Sequence, residues 1–415
     1  MKEFDSAKTS VSKAPAVPPG YKHTETGLLP MDWAATPLGA FVKITSGASP
    51  SLFQLSGGRI PYFKVEQLSN SEKFLSAADT PYAFERGPIV AAKSVIFAKR
   101  GGAIALNKVR ILSEESFMDT NLMALTPEVG LDAEYLFYAL GFIRLWRFAD
   151  TTSVPQINNK HIKPLAFPLP PLPEQRAIAA ALSDVDALLD GLDRVIAKKR
   201  AIKQATMQQL LTGRTRLPGF SGEWEVKRLG DVAKIVRGAS PRPIDSPIWF
   251  DSQSSVHWVR IADVTRSGIF LSETTQRLSP LGVQHSRPVR RGSLIMSICA
   301  TVGRPVITQI DVCIHDGFVV FDDLQTHQFF LYYVLRSIEP DWAKHGQTGS
   351  QMNLNTGLIN GTTVTVPPLA EQTAIANVLS DMDAELETLE VRRHKTQQLK
   401  QGMMQELLTG RTRLV

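Results

Sequence analysis

The sequence predicts an α+β protein in which two mixed α/β domains are joined by two long helices pairing as an antiparallel coiled coil, with an internal pseudo-two-fold repeat. Three observations carry that expectation. First, the stretch from Pro170-Pro171-Leu172-Pro173-Glu174-Gln175 to Leu210-Leu211-Thr212-Gly213-Arg214-Thr215-Arg216-Leu217 is written again from Pro367 to Leu414 at a constant offset of 197, with about 28 of about 48 aligned positions identical. Second, a fainter repeat sets Trp33, Leu38-Gly39, Lys43-Ile44 and Gly47-Ala48-Ser49-Pro50 against Trp224, Leu229-Gly230, Lys234-Ile235 and Gly238-Ala239-Ser240-Pro241 at an offset of 191. Third, short β-branched and aromatic runs alternate with turn residues in both globular parts.

The strong repeat reads as a helix. Ile178, Leu182, Val185, Leu189 and Leu192, and in the copy Ile375, Leu379, Met382, Leu386 and Leu389, step by four and three as an a/d seam requires. Pro173 suits a first helical turn, Glu174 and Glu371 suit the positive end of the helix dipole, and Gly213 and Gly410 sit where a left-handed cap is expected. A rod from Glu174 to Leu211 spans roughly 55 to 60 Å at about 1.5 Å per residue and needs a partner; its twin is the obvious one. The seam weakens at Ala197-Lys198-Lys199-Arg200 and at Arg393-His394-Lys395, with a local change of register expected before Ile202 and Leu399 resume it. The carboxylates Asp184, Asp186, Asp190 and Asp193, and Asp381, Asp383, Glu385 and Glu387, read as the solvated face of the rod and not as a metal site.

The globular parts come next. Ile60 to Val65, Ser94 to Ala98, Ala103 to Leu106 and Leu122 to Leu125 are expected strands of the first; His257 to Ile261, Ser293 to Ile298, Val302 to Ile307 and Gly317 to Phe321 are those of the second. Helices are expected at Ala133 to Arg147 and Gln325 to Arg336, with Gly101-Gly102 as a hairpin turn. The resulting division is a loose tail over 1–20, a globular domain over 21–170, a helix over 171–213, a second domain over 214–368 and a second helix over 369–415.

Composition bounds the function. With 415 residues, 43% hydrophobic and 21% charged, the chain resembles an ordinary globular protein of two or three domains. No apolar run reaches the length of a membrane span and no secretory leader pattern opens the chain, so a cytoplasmic location is expected. Cys299 and Cys313 lack a metal-binding spacing and read as reduced thiols. A net charge of +6 permits a polyanion partner, provided folding gathers the basic groups on one face.

A search for catalytic machinery is empty. The sequence contains no Gly-x4-Gly-Lys-Ser/Thr loop, no Gly-x-Gly-x-x-Gly fingerprint and no Asn/Asp-Pro-Pro-aromatic stretch. His315-Asp316 could be drawn as a base with its orienting acid, but no nucleophile accompanies it and a structural pair is the expectation. What remains is a two-headed binder. Its rivals are a coiled-coil scaffold or oligomerisation protein without a DNA role, which repeated heads disfavour, and a nuclease or methyltransferase with drifted motifs.

Pro168-Leu169-Pro170-Pro171-Leu172-Pro173-Glu174-Gln175-Arg176-Ala177-Ile178-Ala179 and Val366-Pro367-Pro368-Leu369-Ala370-Glu371-Gln372-Thr373-Ala374-Ile375-Ala376, each leading through a helix to Leu-Leu-Thr-Gly-Arg-Thr-Arg, resemble the conserved regions of specificity subunits of type I restriction-modification systems. The stretches Tyr21 to Pro30 with Trp33, and Leu217 to Trp224 with Leu229-Gly230, match the openings of the family's two domains. Gly346-Gln347-Thr348-Gly349-Ser350-Gln351 also resembles a family stretch, whereas its counterpart Thr151 to Gln156 lacks the glycines. The resemblance implies two target recognition domains, each reading one half of a split double-stranded DNA site, with paired helices that set the spacer and dock a methyltransferase subunit on each side. It further implies no enzymatic activity and no cofactor in this chain. S-adenosylmethionine belongs to the modification subunits, and ATP with Mg2+ to the restriction subunits. Approximate two-fold symmetry would match the pseudo-dyad of the duplex while leaving the two half-sites unrelated.

Candidate base and phosphate contacts are polar or basic groups on loops near glycine. They are Ser49, Lys64, Lys99, Arg100, Gln156 and Asn158 in the first domain, and Arg237, Ser240, Arg242, Arg260, Arg291, Arg304, Gln351 and Asn353 in the second. Arg suits guanine O6 and N7, Gln and Asn suit adenine, and Lys suits phosphate.

Overall fold

The computed structural model describes residues 17–49, 58–150, 153–345 and 354–414. The chain divides into two compact units, the boundaries falling between Leu192 and Asp193 and between Val391 and Arg392. Both boundaries lie inside long helices, so each unit holds one globular part and a piece of both helices.

In the first unit β1 (Val42–Ser46), β2 (Ile60–Phe63), β3 (Phe74–Leu75), β4 (Val95–Ala98), β5 (Val109–Leu112), β6 (Phe117–Met118) and β7 (Leu122–Pro127) precede helix α1 (Ala133–Ile143). Five strands form a sheet in the order β1-β7-β4-β5-β3, antiparallel except for the edge strand β3. Alternation of side chains explains its two cores. Val95, Phe97, Val109 and Ile111 face Tyr135 and Leu136 of α1, while Ile96, Ala98, Leu112 and Ala124 face Phe63 and Leu68. Strands covered on both sides read as apolar runs, as β4 does; β5 departs from this only at Arg110, whose buried guanidinium donates to the Ser71 and Val109 carbonyls. β2 and β6 pair in parallel in a second, smaller sheet.

Helix α2 (Leu172–Leu210) then leads to β8 (Lys234–Arg237), β9 (His257–Val259), β10 (Phe270–Leu271), β11 (Leu294–Ser297), β12 (Pro305–Thr308), β13 (Val312–Ile314), β14 (Phe318–Asp322), α3 (Gln328–His345) and α4 (Leu369–Leu407). The main sheet of the second unit runs β8-β14-β11-β12-β10, the order of the first, again with a parallel edge strand, and β9 pairs in parallel with β13. The faint 191-residue repeat is therefore a repeat of one topology.

The helices pair antiparallel within each unit. In the first, Ile178 and Leu182 of α2 share a core with Leu407 and Leu408 of α4. In the second, Leu210 and Leu211 of α2 share a core with Ile375, Ala376 and Leu379 of α4. Gly213 and Gly410 take the left-handed φ of +69° and +70° that ends each helix.

Several sequence expectations are corrected. Ile202 and Leu399 do not resume the seam, being 43% and 58% exposed. The seam continues one position over, through Ile196, Lys199 and Lys203 on α2 and through Arg393, Thr396 and Lys400 on α4. Carboxylates across the helix pair make this favourable: Lys199 reaches Glu385 at 2.7 Å, Lys203 binds Asp383, and Lys400 reaches Asp186 at 2.5 Å. Asp186 and Asp383 are thus not part of a solvated face. Each also accepts a tyrosine hydroxyl, Tyr138 and Tyr333, at 2.7 Å, and so ties a globular part to its helices.

Ala103 to Leu106 is a 3-10 helix (Gly102–Leu106) and not a strand, because only Ile104 is buried and period two has nothing to pack; Gly101-Gly102 opens it instead of a hairpin. The strand expected to reach Ile261 stops at Val259, and Ile261–Arg266 is helical. The strand expected from Val302 begins at Pro305, after a tight turn with Gly303 at φ +82°. Arg144, at φ +61°, ends α1 before Arg147.

Candidate nucleic-acid interface

Each main sheet presents one corner where three loops meet. In the first unit the centre is the three-residue turn Asp119-Thr120-Asn121 between β6 and β7. The Asp119 N–H donates to the carbonyl of Phe63, beside Lys64; the Ala48 N–H, beside Ser49, donates to Met118; and the Lys99 N–H donates to Asn121 at 2.8 Å. Lys99 in turn accepts from the Ile157 N–H, and Arg100 bridges Gln156. Folding thus gathers Ser49, Lys64, Lys99, Arg100, Gln156 and Asn158 at one corner.

Asp119 serves its own turn, accepting from the Asn121 N–H at 2.5 Å and side-chain amide at 3.2 Å. Lys64 Nζ lies 3.8 Å from the centre of the Tyr82 ring, and hydrogen bonding to that residue raises its pKa, so it stays charged. Burial lowers the pKa of Lys99, with the Asp119 charge opposing. Arg100 is exposed. Asn158 opens the short helix Asn159–Ile162, its N–H donating to His161 Nδ1 at 3.0 Å.

In the second unit the same corner is built on His315-Asp316-Gly317 between β13 and β14. The Gly238 N–H donates to Phe318 at 2.9 Å and the Ala239 N–H to Ile314 at 3.1 Å. Gly238 is obligatory for this crossing, because a Cβ there would lie 2.1 Å from the His315 carbonyl oxygen; at Gly47 in the first unit it would lie 1.7 Å from that of Asp119.

Asp316 binds the arm that follows β8. Arg237 Nε donates to its carbonyl at 2.7 Å, the Ser240 hydroxyl to Oδ1 at 2.6 Å and Arg242 Nη2 to Oδ2 at 2.6 Å. Burial would raise the Asp316 pKa, but the Ser240 hydrogen bond and the charges of Arg242, His315 and Arg237 outweigh it and hold the carboxyl low. Arg260 occupies the position of Lys64: each precedes a short helix and donates its N–H to the residue three further on, Asp263 Oδ2 or Gln67 Oε1, at 2.9 Å. Burial pushes the His315 imidazole down to about 4, with Asp316 opposing and Arg260 assisting. The imidazole accepts from the Gly317 N–H at 2.9 Å and lies 3.7 Å from Asp316.

Two second-domain candidates lie elsewhere. Arg291 sits before β11, at the end of that strand opposite Ser297 and the corner, where its N–H donates to Asp311. Arg304 turns its guanidinium onto α3, 3.7 Å from Glu339. Gln351 and Asn353, with the stretch Gly346 to Gln351, lie outside the described residues, as do Thr151 and Thr152. The Leu354 N–H donates to Ile298 as Ile157 does to Lys99, so Asn158 corresponds to Asn355, which caps Thr356–Gly361 through its side chain at 2.7 Å. By the same register Arg100 corresponds to Cys299, a free thiol whose pKa burial raises.

Sequence reading missed Arg287, whose Nε donates to the Arg237 carbonyl at 2.7 Å, and the organising role of Asp316. The run Arg287-Pro288-Val289-Arg290-Arg291 was the available signal for the former. Among the described residues no group of three His, Cys, Asp or Glu side chains could hold a metal, and no helix is long and apolar enough to cross a membrane.

One α/β frame used twice, with a cationic corner in each copy and a shared pair of helices, defines a DNA-recognition protein with two reading domains. The family model described as type I restriction modification DNA specificity domain matches twice, over residues 30–200 and 221–401, and the chain belongs to that family. It is similar to the type I restriction enzyme MjaVIII specificity subunit and the putative MjaX specificity subunit of Methanocaldococcus jannaschii. Each is 24% identical, over 93% and 95% of this chain and 94% and 97% of theirs. The fold is that of the type I restriction-modification S subunit from M. genitalium, with TM-score 0.58 and 15% identity over 90% of this chain and 96% of that one. It is also that of a chain from a structure of type I R-M complex assembly and conformational transition, with TM-score 0.58 and 19% identity over 92% and 99%.

Proposed function

We propose that each recognition domain reads one half of a bipartite, asymmetric DNA site, that the long helices set the spacer between the halves, and that two methyltransferase subunits dock on the repeated helical stretches, with restriction subunits completing the complex. In this reading the chain works in the cytoplasm and is not itself an enzyme. S-adenosylmethionine serves the methyltransferase subunits, and ATP with Mg2+ serves the restriction subunits. The observation that carries the proposal is the corner built twice on one topology and furnished differently, with Lys64, Lys99 and Arg100 in one copy and Arg237, Arg242, Arg260 and Arg287 in the other. A constant frame with variable side chains is what two unrelated half-sites require, because base edges are told apart by side-chain donors and acceptors.

The test is a genome-wide map of methylated adenines in cells with and without this chain. A two-part motif that appears only with the chain is expected. One helical turn added to both helices, about 5.4 Å, should lengthen the spacer by one to two base pairs of about 3.4 Å each and leave both half-sites as they were. A motif that persists without the chain, or half-sites that change with the helices, would overturn the reading.

A further inference from the structure

We propose that Asp316 is the positioning residue of the second recognition domain: it holds the arm Arg237 to Arg242 so that the Arg242 guanidinium reads a guanine in that domain's half-site. The inference rests on the two-half reading above and adds to it which residues discriminate and which base one of them reads.

Asp316 meets the arm at three points. Its carbonyl takes Arg237 Nε, one carboxylate oxygen takes the Ser240 hydroxyl and the other takes Arg242 Nη2, at 2.6 to 2.7 Å. The Ser240 hydroxyl is also within 3.3 Å of the Asp316 N–H, so the serine is locked to the turn through both groups. The arm's backbone is pinned from below by the Gly238 and Ala239 hydrogen bonds and from the side by Arg287 Nε on the Arg237 carbonyl.

A long arginine on a loop ordinarily loses rotamer freedom when it docks, and this arrangement removes part of that cost in advance. Arg242 nevertheless stays two-thirds exposed, at 67%, with one Nη engaged, so its remaining N–H groups are left for a base edge. A guanidinium fork matches guanine O6 and N7, which is the chemical basis for naming guanine. The carboxylate also sets a penalty. Paired with Arg242 at 2.6 Å, it disfavours a phosphate settling on the same guanidinium, and so biases Arg242 toward bases and away from the backbone.

Among the described residues the first domain shows no such device. Its turn carboxylate, Asp119, bonds within the turn to Asn121, and the residue aligned with Arg242 in the 191-residue register is Ser51. The two half-sites should therefore respond differently to changes at these turns.

The experiment is adenine-methylation mapping by the complete complex carrying wild-type chain, Asp316→Asn, or Arg242→Ala, with the thermal midpoint of each chain measured in parallel. Expected for both variants is a motif in which one guanine position of one half-site becomes degenerate, discrimination there falling about tenfold, while the other half-site stays sharp. A folding defect would lower methylation at every site without blurring one position. A sharp motif with Asp316→Asn overturns the proposal. If Asp316→Asn lowers the midpoint and abolishes methylation, Arg242→Ala decides: the blurred position supports the assignment, and a sharp motif rejects it. Absence of any two-part motif with the wild-type chain instead overturns the reading beneath it.

Discussion

Glu174 and Arg413, separated by 239 residues, form a two-pronged ion pair, with Arg413 Nε on Oε1 at 2.6 Å and Nη2 on Oε2 at 2.8 Å. Trp33 Nε1 donates to the same carboxylate at 2.9 Å, and Asp32 takes the rest of the guanidinium. The second unit repeats the arrangement with Glu371, Arg216 and Trp224, but among the described residues no second carboxylate matches Asp32 on the arginine; there the Gly222 carbonyl accepts from Nη1. Each cluster fastens the start of one long helix to the chain just beyond the end of the other.

Removing the first carboxylate, Glu174→Ala, strands the buried Trp33 N–H and half of Arg413, and should cost about 3 kcal/mol. Glu371→Ala should lower the melting temperature further, since among the described residues Arg216 keeps only the Gly222 carbonyl, where Arg413 keeps Asp32. Thermal unfolding of the two variants ranks them, and a reversed order would contradict the assignment.

The seam makes a contrasting pair. Ile202→Lys should be silent, within about 0.5 kcal/mol, because that side chain is already in water. Lys203→Met leaves Asp383 with Tyr333 and Ser380 nearby but no cation, and should cost about 2 kcal/mol after allowance for partial exposure. Urea midpoints of the two variants measure the difference.

Stability should fall in mild acid through His315. The unfolded side chain titrates near 6.5, whereas the folded one is held down to about 4, so between these values only the unfolded state takes up the proton. The contribution is full above pH 6.5 and is lost as pH falls to about 4, amounting to about 3 kcal/mol at about 1.4 kcal/mol per unit. His315→Asn should flatten the denaturation midpoint across pH 7 to 4.5.

Gly47→Ala and Gly238→Ala should each cost at least about 1 to 3 kcal/mol, because the new methyl meets backbone oxygen in a crossing that cannot open. Gly268→Ala meets open space and should leave the midpoint unmoved. Comparing the three by calorimetry isolates the crossing.

Arg100→Ala should weaken DNA binding and reduce its salt slope by about one, as expected when a single phosphate is no longer neutralised by the protein. The exposed side chain makes a fold defect an inadequate explanation if the melting temperature is unchanged.

The repeat made the helices legible. Residues at offset 197 occupy matching sites down to Asp186 with Asp383 and Lys400 with Lys203, and both terminal glycines adopt the expected left-handed turn. Lys203 was hidden because hydropathy ranks Ile202 above it, and the carboxylate that draws it inward lies 180 residues away. Ala103 to Leu106 misled as an apolar run whose only buried member is Ile104. At the corner, basic residues beside glycine were readable, but Arg291 and Arg304 share that signature while a strand end and a helix take them elsewhere. Asn355 escaped because an offset of 191 at the domain start has drifted to 197 by Ile157 and Leu354. Asp316 reads as half of a His-Asp pair until the arm that it restrains is folded over it.

The core of the first unit includes Leu407 and Leu408, and its ion-paired cluster includes Arg413. The second unit is cut from one unbroken stretch, 193–391. The usual expectation that the earlier domain is complete first therefore does not hold: residues 193–391 supply the whole second unit, whereas the first needs residues from Arg392 onward. A chain cut short before residue 400 would keep every residue of the second reading head's unit but lack Leu407, Leu408 and Arg413 of the first.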